Sequence, residues 1–388
     1  MTIRRRWHIA ALAAAALIVA GCGGGTTDSP VATRVIAFGD SLSDIGTYTP
    51  ATQIPLGQAA GVPPFFGGKF TTNTHTGYTA TSNSSTANIW VEWIAARLGL
   101  PITPAEVGFI TTRVPCPAQA SGLAFSCTGY AQGGARVTDP NGIGKTSGFL
   151  TIPIAAQIAS HNTRAVPGFT AGFGPGDIVF VWGGHNDAFT QLGAVAASAT
   201  TPAAAVAAMQ TAGTELANLV KNEILAKGAA RVAVLNAVDI SVTPGYSGLP
   251  AANKGLLTQL TAEFNGTLTA GLAGSGAQII DVRGYLNSVV ANPSIAGLTN
   301  TTTSVCDPAK IQAVTGGLVT NGTSLFCNGA AASAFVAPVP NLNTLKAGTS
   351  ASTYLFADDV HPTTGGHKAT ADFVWNAIKG FGWAPSNL

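Results

Sequence analysis

Charge is scarce in this chain: Asp, Glu, Lys and Arg make up 9% of its 388 residues. No basic stripe of the kind a nucleic-acid binder needs is present, and nothing has the charged, apolar-poor composition of a disordered segment. Arg4, Arg5 and Arg6 belong to an N-terminal leader. Without these three, 16 basic residues face 17 acidic ones, and steering of a charged partner is not expected. The five cysteines include no Cys-x-x-Cys pair, so no metal or redox motif of that spacing exists. Gly-x-Ser-x-Gly is also missing, which argues against the nucleophile elbow of α/β-hydrolases. What is plentiful is apolar residues (46%) together with 47 Gly and 22 Pro. That composition builds a large core joined by long loops.

The first residues read as an address. Arg4-Arg5-Arg6 is a basic n-region, and residues 9–19 form an apolar stretch too short for a comfortable membrane span. Val19-Ala20-Gly21-Cys22 then resembles a bacterial lipobox. It implies removal of residues 1–21 as a signal peptide and lipidation of Cys22, with residues 22–33 as a Gly/Thr/Ser tether. The expected location is the bacterial cell envelope as an outer-membrane lipoprotein, periplasmic or surface-facing, with secretion the alternative if the lipobox is not used. In that oxidising setting the other four cysteines allow three pairings, of which Cys116–Cys127 and Cys306–Cys327 are the simplest.

Residues 34–388 read as one domain. The runs at residues 35–38, 177–182, 231–237 and 278–282 are short, apolar and β-branched, as strands buried on both faces are. Helical patterns lie between and after them at residues 89–98, 202–227, 254–272 and 367–379, the first stopped by Gly99 and Pro101. Alternating strands and helices predict a parallel sheet covered on both faces. Trp90 and Trp93 are expected in the core, and residues 47–85 form a long polar loop.

Chemistry concentrates at four places. Gly39-Asp40-Ser41 follows the first strand, so Ser41 stands at the strand edge where open α/β sheets bind ligands. Taken alone, a Gly-Asp-Ser is more commonly a capped turn. Gly134 ends a short segment that starts at Tyr130, and Asn186 follows the second strand; a backbone amide and a side-chain amide at such edges can stabilise an oxyanion. Asp358-Asp359-Val360-His361-Pro362 puts a carboxylate three residues before a histidine, close enough to fix one imidazole tautomer. His361 with His367 is the alternative metal pair, but the proline and Gly365-Gly366 remove the helical i, i+4 pattern and no third ligand is apparent. No metal and no cofactor are expected. His75 and His161 lie in polar contexts without a motif, and His185 adjoins Asn186 at a strand end.

Together, Phe38-Gly39-Asp40-Ser41-Leu42-Ser43-Asp44, Gly134, Gly184-His185-Asn186-Asp187 and Asp358-Asp359-Val360-His361-Pro362-Thr363 resemble, in order and rough spacing, the four blocks of the SGNH (GDSL) hydrolases. Trp90-Val91-Glu92-Trp93, Ala291-Asn292-Pro293 and the Cys306 region are similar to the plant-type and bacterial lipase branch. The resemblance implies a flavodoxin-like three-layer α/β/α sandwich with a parallel sheet of about five strands. It implies a serine esterase or lipase with Ser41 as nucleophile, His361 as base and Asp358 orienting it. The oxyanion hole would be Ser41, Gly134 and Asn186. Asp359 competes for the acid role, and the family offset selects Asp358. Gly129 departs from the family, which often has Asn there. A small-molecule or lipid ester is the implied partner, with the membrane reached through a lipid anchor and no nucleic acid. An acyltransferase of the lecithin:cholesterol acyltransferase-like type, a polysaccharide deacetylase and a binding-only surface lipoprotein are the other readings.

Overall fold

The apolar runs meet in one parallel sheet. The computed structural model describes residues 31–52, 67–73, 89–329 and 343–385, so the leader, Cys22, most of the tether and His75 lie outside the described residues. Strands β1 (Arg34–Gly39), β4 (Asp177–Trp182), β5 (Arg231–Leu235) and β6 (Gln278–Ile280) stand in the order β1-β4-β5-β6, all parallel, with Phe38 opposite Val181 and Val181 opposite Val234. Because strand side chains alternate in direction, each strand feeds two cores. Ile36, Phe38, Val179, Val181, Val232 and Val234 pack on one face against helices α4 (Pro202–Leu219) and α5 (Ala251–Leu272) through Met209, Leu216, Leu260 and Phe264. Val35, Ala37, Ile178, Phe180 and Leu235 pack on the other against α1 (Trp90–Arg97) and α8 (Thr364–Gly380) through Trp90, Ile94, Val374 and Trp375. This is the α/β/α sandwich.

A fifth position beside β1 is taken by residues 128–132. Ala37 N–H donates to the Thr128 carbonyl (3.0 Å), Tyr130 N–H to Ala37 (2.8 Å) and Gln132 N–H to Gly39 (3.1 Å). The segment makes a single parallel bridge, Ala37 to Gly129, and Gly129 also bridges Pro104 on its other side. A Cβ at Gly129 would stand 2.4 Å from the Ile45 side chain, which accounts for glycine at this position. With the segment included, the order is the 2-1-3-4-5 of flavodoxin-like sheets.

The remaining elements frame the site. A hairpin of β2 (Glu106–Phe109) and β3 (Thr112–Pro115) precedes α2 (Ile154–Thr163), and α3 (His185–Ala196) starts directly after β4. Helix α6 (Val282–Ala291) follows β6, and α7 (Pro308–Val314) follows β7 (Asn300–Ser304), which pairs in parallel with β8 (Tyr354–Phe356). Cys116–Cys127 and Cys306–Cys327 are both disulfides, with Cα atoms 5.4 and 5.7 Å apart. Trp90 is fully buried and Trp93 partly so, in line with their core assignment. His161 is not in a polar setting: it is buried on α2, with Nε2 2.9 Å from the Gly172 carbonyl and Nδ1 3.2 Å from the Tyr130 hydroxyl.

Candidate active site

β1 can end against β4 only through a glycine: a Cβ on Gly39 would stand 2.2 Å from the Trp182 carbonyl oxygen. Asp40 then caps the single 3-10 turn Ser41–Ser43, its Oδ1 accepting from Leu42 N–H at 3.1 Å. Its Oδ2 lies 2.8 Å from His185 Nδ1, while His185 Nε2 accepts from Val238 N–H at 3.1 Å. The Val238 contact places the His185 proton on Nδ1, so the imidazole donates to Asp40 and ties the Ser41 turn to the ends of β4 and β5.

β8 runs into a tight turn closed by Ala357 N–H donating to the His361 carbonyl (2.7 Å). Within it Asp358 folds back on His361, with Nδ1 at 2.8 and 2.9 Å from the two carboxylate oxygens. His361 Nε2 lies 2.9 Å from Ser41 Oγ, 320 residues away in sequence. An ionised carboxylate only accepts, so Nδ1 carries the proton and Nε2 is free to receive one from Ser41. Asp358 also accepts from the amides of Ser324 (2.8 Å), Val360 (3.0 Å) and His361 (2.7 Å). Burial alone would raise its carboxyl; the charge and hydrogen bond of His361, with the Ser324 and Val360 donors, outweigh it and hold the group below the usual carboxylate range. Phe70 lies over the imidazole, ring centroids 4.7 Å apart. Asp359 is exposed; its carbonyl accepts from Gly245 N–H (2.9 Å).

Asn186 opens α3, and its Nδ2 donates to the Ala135 carbonyl at 2.8 Å, leaving its second hydrogen uncommitted. Asp187, beside it, accepts from Val137 N–H and Arg136 Nε at 3.1 Å each, which fixes the chain after Gly134 to the same helix end. Burial raises the Asp187 carboxyl to about 6. Among the described residues, neither Ser41 N–H nor Gly134 N–H donates to a protein acceptor. Ser41, Gly134, Asn186 and His361 therefore meet in one cleft of about 400 Å³, with Phe70, Ile143, Phe149, Phe189, Ile240 and Tyr246 on its walls. Among the described residues, no lysine or arginine lines it.

His367 is apart from this group. Its Nδ1 accepts from Trp90 N–H (3.4 Å), its Nε2 lies 3.3 Å from the Phe70 carbonyl, and burial pushes it down to about 3. Among the described residues no three metal-ligating side chains converge. Sequence reading missed Asp44, Tyr48 and His185, which hold the site from behind. Asp44 was in view as the last residue of the first block, and His185 as the neighbour of Asn186.

A sequence model of the GDSL-like lipase/acylhydrolase family matches residues 35–374, nearly all of the domain. The chain belongs to this family. As a GDSL-like lipase/acylhydrolase it is a hydrolase acting on esters. Among solved structures, an extracellular lipase from Streptomyces rimosus is similar at 14% identity, over 89% of this chain and 100% of that one, with a TM-score of 0.36. Among curated proteins none matches.

Proposed function

We propose that this GDSL hydrolase is a serine esterase or lipase that cleaves carboxylic esters with aliphatic or lipidic acyl chains. Ser41 Oγ attacks the ester carbonyl as His361 Nε2 takes its proton. Asp358 keeps the proton of Nδ1 in place and stabilises the imidazolium that forms. The oxyanion is received by the amides of Ser41 and Gly134 and the side chain of Asn186. His361 then protonates the leaving alcohol, and water releases the acyl group by the reverse path. The observation that carries this reading is the unbroken relay Ser41–His361–Asp358, at 2.9 and 2.8 Å, opening on a cleft with uncommitted donors. The apolar walls, with no lysine or arginine among the described lining residues, support a neutral, aliphatic substrate.

The test is hydrolysis of p-nitrophenyl esters of graded chain length. Ser41→Ala should lose measurable turnover while melting as the wild type does. Asn186→Ala should keep its fold and lose roughly 10²–10³ in kcat. Asp358→Asn should lose on the order of 10³–10⁴, and Asp359→Asn less than about threefold. An active, normally folded Ser41→Ala would sink the mechanism. A binding-only lipoprotein would leave Ser41 unlabelled by a fluorophosphonate. We further propose that the mature chain starts at a lipidated Cys22 and sits on a membrane of the cell envelope, supported by the lipobox-like Val19-Ala20-Gly21-Cys22 and the Gly/Thr/Ser-rich sequence after it.

A further inference from the structure

The Gly134 amide is only as good a donor as the peptide that carries it is fixed. That peptide joins two glycines, and neither can be replaced: a Cβ on Gly133 would stand 2.2 Å from the Phe70 ring, and one on Gly134, at φ +79°, 2.0 Å from the Ile143 carbonyl oxygen. Flanked by no side chain, it is the linkage in the site freest to turn as a plane. In a trans peptide the Gly133 carbonyl and the Gly134 N–H point in opposite directions. A half-turn would present the carbonyl oxygen to the cleft in place of the N–H, a repulsive dipole where the oxyanion forms.

One buried side chain opposes that turn directly, and a second fixes the pivot at Gly133. The Tyr48 hydroxyl lies 2.8 Å from the Gly133 carbonyl and 3.1 Å from Thr151 N–H. Thr151 can only donate, so the single Tyr48 proton goes to the Gly133 oxygen. Asp44 grips the other side of the same residue: Oδ2 accepts from Gly133 N–H (2.9 Å) while Oδ1 accepts from Gly46 and Thr47 (2.9 and 2.8 Å). Both side chains are fully buried, and Phe149 meets the Tyr48 ring edge to face at 4.5 Å. We propose that Tyr48 and Asp44 are positioning residues for the oxyanion hole, Tyr48 holding the peptide between Gly133 and Gly134 by its carbonyl and Asp44 anchoring Gly133 through the preceding peptide, so that the Gly134 N–H faces the cleft. The Tyr48 bond also polarises that peptide and strengthens its N–H as a donor. Burial, with Asp44 nearby, keeps the Tyr48 phenol protonated well above its ordinary titration range, so the donor persists throughout working pH.

This proposal rests on the ester-hydrolase mechanism above, and its test separates the two. Tyr48→Phe removes only the hydroxyl. It should lower kcat by about tenfold to a hundredfold, a fraction of what loss of a whole donor costs. KM should move less than about twofold. The inhibition constant of an alkylboronic acid, whose tetrahedral adduct on Ser41 occupies the same hole, should rise by a factor matching the fall in kcat. A merely structural tyrosine would change melting without this matched pair. Tyr48→Phe with kcat within twofold of wild type overturns the proposal, as does a fall in kcat with unchanged boronate affinity. If Tyr48→Phe does not fold, the same quantities in Asp44→Asn decide it in the same way. Wild-type protein inert toward every ester would count against the hydrolase mechanism itself, whereas active wild type beside equally active Tyr48→Phe counts against the clamp alone.

Discussion

His367 and His161 are neutral in the fold because both ring nitrogens meet fixed partners inside a dry core. Burial lowers His367 to about 3 and His161 to about 4 from an ordinary 6.5, with Arg34 adding to the shift of His161. Below pH 6.5 the unfolded chain takes a proton that the fold refuses. Each histidine therefore makes stability fall as pH falls, by about 1.4 kcal/mol per unit, until its folded value is reached. Asp44 and Asp187 act in the opposite sense. Burial raises each from 3.8 to about 6, so between those values the fold holds the extra proton and stability falls as pH rises. Two groups of each sign leave the wild-type curve nearly level between about 4 and 6. Substitution of one histidine exposes the balance. In urea unfolding, the stability gap between wild type and His367→Gln should narrow by about 1.4 kcal/mol for each pH unit from 6.5 down toward 4. A gap that stays constant with pH would show that His367 takes its proton in the folded state.

The disulfides differ in what they support. Cys306 follows β7, and its N–H donates to the Ala357 carbonyl at 2.9 Å, one residue before Asp358. Cys327 closes the turn Ser324–Phe326, whose first amide donates to Asp358. This bond thus joins two of the segments that hold Asp358. Cys116–Cys127 instead packs in a separate cluster with Leu123, Val166 and Phe169. Each bond should contribute about 3 kcal/mol by restricting the unfolded chain. Replacing Cys306 and Cys327 by alanine should also cut kcat by about tenfold, whereas replacing Cys116 and Cys127 should lower the melting temperature and leave kcat within about threefold. Equal kcat in the two double variants, measured well below their melting points, would remove the link to Asp358. The same contrast of local and distant explains what could be read in advance. Trp90–Arg97 and the runs at Asp177–Trp182 and Arg231–Leu235 declare themselves through their apolar residues, with Gly99 and Gly183 marking the ends of the first two. α2 has no side-chain N-cap, α3 begins on Gly184 amid residues that look like a loop, and both escaped notice. α8 starts at Thr364, ahead of its expected start, because the Thr363 hydroxyl accepts from Gly366 N–H (3.0 Å) and carries the helix through a glycine pair. In the site, Asp358 and His361 are three residues apart and legible as a spacing. His185 reaches Asp40 across 145 residues and Tyr48 reaches Gly133 across 85, and no spacing announces such pairs.

The molecule as a whole has few charges, and many are committed internally: Arg34 to Asp177, Lys69 to Glu92, Arg136 to Asp139 and Asp187, Arg97 to Asp372. With Arg4, Arg5 and Arg6 set aside, 16 basic residues face 17 acidic ones, and the body offers little electrostatic attraction to an anionic bilayer. Among the described residues no helix is long and apolar enough to cross a membrane. The proposal for attachment therefore depends on Cys22. A single acyl chain binds a bilayer only marginally, whereas the two chains of a diacylated cysteine hold it stably. Cys22→Ser should accordingly shift the full-length protein from the membrane pellet to the soluble fraction. Its turnover of a soluble p-nitrophenyl ester should stay within twofold, because the substitution lies outside the domain that holds Ser41. Wild type recovered in the soluble fraction, or Cys22→Ser retained in the pellet, would mean that this hydrolase reaches its ester without a lipid anchor.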